Sequence, residues 1–155
     1  MSGAGDFNGD GIDDMVIGSS GIGQGYVVFG GKGVWQPGIF LEDLDGSNGF
    51  MFSWVSSGTY ESGIVSGAGD VNGDGIDDVI VCCYDRMYVV FGGSGVWPKL
   101  VELDKLGGRG CVIDGIDKKD QWSEFTVSGI CLGYVWGLLV PKPLARSALL
   151  DLFVL

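Results

Sequence analysis

Histidine is absent from this 155-residue chain. With it go the usual general base, the Ser-His-Asp and Cys-His nucleophile systems, and most zinc and iron sites. Basic residues are scarce: 9 Lys and Arg stand against 20 Asp and Glu, a net charge of −11. A balance this acidic argues against nucleic-acid and anionic-membrane partners. The 4 cysteines lack metal spacing. Cys82 and Cys83 are adjacent, so a strand turns them to opposite faces, while Cys111 and Cys131 stand alone. Buried thiols are the simplest reading, and a disulfide from one of the pair stays open. Helical patterning is nearly missing before residue 130. The opening MSGAGDF has no basic segment followed by an apolar core, so no secretory signal is expected within the chain.

What the chain has in excess is glycine, 30 residues of it, set between apolar runs such as MVIGS, YVVFGG, VIVCCY and MYVVFGG. Short β-forming runs bounded by Gly, Asn and Asp predict an all-β protein. The length is about that of one small domain.

The string GAGDFNGDGIDD at residues 3 to 14 returns as GAGDVNGDGIDD at residues 67 to 78. Oxygen-bearing side chains alternate in both: Asp6, Asn8, Asp10 and Asp14, then Asp70, Asn72, Asp74 and Asp78. Calcium is a hard cation that takes six to eight oxygens in a flexible shell. A short loop supplies them by turning positions 1, 3, 5 and 9 inward, with the position-7 carbonyl of Ile12 or Ile76 between them. Gly11 and Gly75 at position 6 are expected to take the positive φ that folds the chain back, helped by Gly9 and Gly73. Asp13 and Asp77 fall off the alternating set and read as turn or capping carboxylates. A tight hairpin alone also favours Asp, Asn and Gly, but needs no third or fourth carboxylate, and here every donor occurs twice. An EF-hand requires Glu at position 12, where Ile17 and Val81 stand, and magnesium prefers a rigid octahedron. Two Ca2+ sites are therefore expected; together they would offset four charges and leave −7.

The repeat runs well past the loop. Apolar strands come next at 14 to 18 and 78 to 83, then YVVFGG at 26 to 31 and 88 to 93, and G-V-W at 33 to 35 and 95 to 97. LEDLDG matches VELDKL, GFMFSW matches GCVIDG, and SGIVSG matches SEFTVSG. Each unit offers about four short strands, the content of one propeller blade. Tyr26, Phe29, Trp35, Tyr88, Phe91 and Trp97 recur at matched positions and are expected in the core. Lys118, Lys119 and Asp120 read as a solvated turn, and no helix succeeds any GxGxxG-like stretch, so a nucleotide loop is unsupported.

Phe29-Gly30 with Phe91-Gly92, and Gly3-Ala4-Gly5 with Gly67-Ala68-Gly69, resemble the FG-GAP repeat, the blade unit of the integrin α-type β-propeller. The N-G-D-G-I-D-D wording is similar to bacterial members. The resemblance covers residues 2 to 129 and implies one blade over 1–66 and a second over 67–129. It further implies calcium at the blade rim, in a loop joining a blade's first two strands, held by Asp6, Asn8, Asp10, Ile12 and Asp14, then Asp70, Asn72, Asp74, Ile76 and Asp78. The implied function is a non-enzymatic adhesion or protein-interaction scaffold, extracellular or at the cell surface, with a protein partner or self-association and no small-molecule substrate. Two other readings stay open: an accessory propeller of a larger secreted hydrolase such as a phospholipase, and a non-functional truncated remnant.

A third unit opens at 122 to 129 and then departs: Leu132, Tyr134, Trp136 and Val140 stand where the acidic ligands belong. The tail over 130–155 is expected to be a truncated or frameshifted third blade, or a cap, with a strand over 130 to 140 and a short helix over 144 to 154. Pro141 and Pro143 break it too often for a membrane span of about 20 residues. Propellers close with about four to eight blades, so two blades and a degenerate third predict a partial propeller.

Overall fold

A computed structural model describes residues 1–19, 23–33, 38–54, 63–83, 86–114, 121–127 and 131–136, with the backbone alone for 114, 121–127 and 131–136. The expected helix at 144 to 154, the strand beyond 136, Trp35, and the turn at Lys118, Lys119 and Asp120 lie outside these residues. The protein is all-β: the described residues form eleven strands and three short 3-10 turns, with no α-helix among them.

The first sheet contains β1 (Ser2–Gly5), β2 (Asp14–Ser19), β3 (Gln24–Val28) and β4 (Gly49–Ser53), each antiparallel to the next. The second repeats that order with β5 (Ile64–Gly69), β6 (Asp78–Cys83), β7 (Arg86–Val90) and β9 (Gly110–Asp114). These are the blades expected from the sequence, and they do not close into a ring. The first carries one strand more: β8 (Leu100–Glu102), supplied by the second repeat, lies parallel to β4 with Phe52 opposite Val101. A separate hairpin pairs β10 (Gln121–Val127) with β11 (Cys131–Trp136), so the positions of Leu132, Tyr134 and Trp136 are strand and not loop.

Alternation builds the core. In β6, Val79, Val81 and Cys83 face one side and Ile80 and Cys82 the other; in β7, Tyr88 and Val90 oppose Met87 and Val89. Both faces are buried, so the strand reads as a continuous apolar run instead of an alternating one. The larger cluster joins the two sheets, with Val16, Val27, Phe50 and Phe52 of the first packed with the second sheet's inner face. Of the recurring aromatics, Tyr88 and Trp97 are buried, Phe29 and Phe91 pack partly buried against the two clusters, and Tyr26 is half-buried. No helix among the described residues is long and apolar enough to cross a membrane.

Candidate metal centres

Both loops leave the first strand of their sheet through the same irregularity. The β1–β2 register shifts between Gly3 and Gly5, and the β5–β6 register between Gly67 and Gly69, so that Gly5 pairs with Asp14 and Gly69 with Asp78. Gly5 and Gly69 take φ of 64° and 68° there. A bulge bends its strand and re-aims the next residues, and here it sets the ninth loop position opposite the glycine that precedes the first. At position 6, Gly11 and Gly75 take φ of 84° and 87°, the left-handed turn expected of them.

Within the loops the hydrogen bonds match almost bond for bond. Asp6 accepts the amides of Asp10 and Gly11, each at 2.9 Å; Asp70 accepts those of Asp74 at 3.1 Å and Gly75 at 2.8 Å, and also Gly73. The Asn8 and Asn72 carbonyl oxygens accept from Asp10 and Asp74. In turn, Asp10 and Asp74 accept the amides of Ile12 and Ile76, all four bonds at 2.9 Å. The Asn8 and Asn72 side-chain amides donate back to Asp10 and Asp74. Side chains that bond their own backbone two residues on are what Asp and Asn do in turns.

The ninth-position carboxylates differ from the rest. Asp14 is 2 % exposed and Asp78 fully buried. Asp14 accepts amides from Asn8 at 3.1 Å and Gly30 at 2.7 Å, while Asp78 accepts from Val71 and Gly92, both at 2.9 Å. Among the described residues neither has a cationic side chain within ion-pair distance. Burial pushes the Asp14 carboxyl up to about 6 against the opposing pull of its amide donors, and burial raises Asp78 in the same way. Asp70, exposed at the rim, is lowered by the Gly75 amide, with Gly73 and Asp74 adding to it.

No protein family, curated protein or solved structure matches the chain. The chemistry of the two loops therefore rests on their own atoms. Three carboxylates, one amide oxygen and one backbone carbonyl are the oxygen donors a calcium ion takes. Among the described residues no three His, Cys, Asp or Glu side chains converge into a metal-holding group, and each donor carboxylate accepts at least one backbone amide. A carboxylate oxygen has about two acceptor directions, and the single bonds on the Asp6 and Asp10 oxygens leave one on each. The donor set fits a hard divalent cation by its composition and by two buried carboxylates that have no cationic side chain beside them among the described residues.

Some contributors escape a reading of the loops alone. Gly30 and Gly92, the glycines of the repeated Phe-Gly string, clamp the ninth-position carboxylates through their amides. Beside each loop lies a hollow of about 340 and 370 Å³, bordered by Asn8 and Asp10 in one repeat and Asn72 and Asp74 in the other. Phe7 is fully buried, with its ring 5.0 Å from Trp97 and 5.9 Å from Phe50, whereas its counterpart Val71 is 53 % exposed. That difference was visible in the sequence as the single mismatch between the two strings.

Proposed function

We propose that the chain is a calcium-binding propeller module of the FG-GAP type, holding one Ca2+ in each loop and serving outside the cell or at its surface as a non-enzymatic scaffold for protein contacts. The observation that carries the reading is the duplicated network around two buried aspartates that have no cationic neighbour among the described residues. Asp6, Asn8, Asp10, Asp14 and the Ile12 carbonyl would hold the first ion. Asp70, Asn72, Asp74, Asp78 and the Ile76 carbonyl would hold the second. A bound cation supplies the countercharge these carboxylates lack and ties the hairpin at the rim of the sheet. The exposed side chains of Val71, Val96, Val112 and Ile113 support a protein partner or self-association, since β9 ends the second sheet among the described residues and an open edge invites pairing.

Thermal unfolding in calcium and in chelator tests the reading. Calcium is expected to raise the melting temperature, and Asp10→Ala combined with Asp74→Ala to abolish the rise. Equal melting of the native chain in both conditions overturns it.

A further inference from the structure

The two loops touch through a residue that belongs to neither donor set. Asp77, eighth in the second loop, reaches back to the first: its Oδ2 accepts the Asp6 amide at 2.9 Å, and its own amide donates to the Asp6 carbonyl at 3.3 Å. The joint continues one residue further, where the Phe7 carbonyl accepts the Gly93 amide at 2.9 Å. The neighbouring Gly92 amide holds Asp78. The first donor of one loop and the last donor of the other thus sit on opposite sides of one small hydrogen-bonded frame.

We propose that Asp77 couples the two loops, so that a divalent cation held in one raises the affinity of the other; this rests on the calcium reading above. A cation on the Asp6 carboxylate fixes the Asp6 backbone, whose amide and carbonyl both bond Asp77. Asp77 lies between the Ile76 carbonyl and Asp78, two donors of the second loop. Ordering the frame therefore costs conformational entropy once, and the second ion meets it already ordered. Asp77 is a positioning residue that acts through its neighbours.

The repeat supplies its own control. Asp13 holds the same position in the first loop, is exposed, and has no hydrogen bond or ion pair to its carboxylate among the described residues.

Calorimetric calcium titration of the full chain decides the matter. The native protein and Asp13→Ala are expected to bind two ions with a Hill coefficient above 1, Asp77→Ala to bind two ions independently, and Asp77→Asn, which keeps an oxygen acceptor, to restore the coupling. As a reading that leaves Asp77 in place, Asp10→Ala should weaken calcium at the second loop by about 5-fold or more, the usual lower end of coupling between sites. Unchanged second-loop affinity in Asp10→Ala, or the same cooperativity in Asp77→Ala as in Asp13→Ala, overturns the coupling while leaving calcium binding intact. A native chain that binds no calcium at all overturns the functional reading itself.

Discussion

The rings of Phe50 and Trp97 are stacked face to face, centroids 4.7 Å apart and planes 8° from parallel, although they belong to different repeats. Phe7 closes a third side of the pair, and the Arg109 guanidinium lies 5.1 Å from the Trp97 centroid. This cluster is one place where the two repeats grip, through β4 of the first sheet and the loops that carry Phe7 and Trp97. Trp97→Ala is expected to lower stability by about 3–5 kcal/mol, the usual cost of deleting a large buried aromatic. Urea unfolding measures it, and a loss under about 1 kcal/mol would place the grip elsewhere.

Gly5 and Gly69 share the same backbone conformation and differ only in surroundings. A Cβ at Gly5 runs into the Asp77 side chain, while at Gly69 it meets nothing within 4 Å. Alanine at either position carries the positive-φ strain of about 1–2 kcal/mol, but Gly5→Ala must also displace Asp77. It is expected to cost distinctly more than Gly69→Ala in parallel denaturation curves. Equal losses would mean the loops do not meet in solution.

Tyr88 donates its hydroxyl to Asp104 at 2.7 Å, and burial together with that acceptor raises its pKa from 10.0 to about 12. Below pH 10 both folded and unfolded chains keep the proton. Between 10 and 12 the unfolded chain releases it first, so folded stability falls as pH rises through that window. Tyr88→Phe should flatten this alkaline slope and cost about 1 kcal/mol at neutral pH for the lost hydrogen bond. An unchanged slope in the variant refutes the assignment.

If each loop holds calcium as proposed, the three donor carboxylates in each are expected to make the chain sensitive to ionic strength in chelator. Raising sodium chloride from about 0.01 M to 0.5 M shortens the screening length severalfold and is expected to raise the melting temperature in chelator. In saturating calcium the same salt step should do much less. Identical responses in both conditions would remove loop repulsion as the cause.

The elements that depend on near neighbours were legible in the sequence. Apolar runs bounded by turn residues placed β2 and β6, and the alternating Asp and Asn placed both loops and their left-handed glycines, because side chains there bond the backbone two to five residues away. Contacts between repeats were not legible. Nothing in Leu100–Glu102 announces a parallel partner in β4, since strand pairing across repeats leaves no local periodicity. Asp77 read as a turn carboxylate for the same reason: its acceptor role depends on Asp6, which only the packing of the two sheets brings near.

The strand β8 has a consequence for biosynthesis. The edge of β4, finished by residue 53, is covered by a segment that ends at residue 102. At ribosomal rates of about 5–20 residues per second, that edge stays bare for roughly 2 to 10 s after β4 is made. The first sheet is thus completed only by a segment of the second repeat, and a nascent chain stalled between the repeats would present an open strand to its neighbours on the polysome.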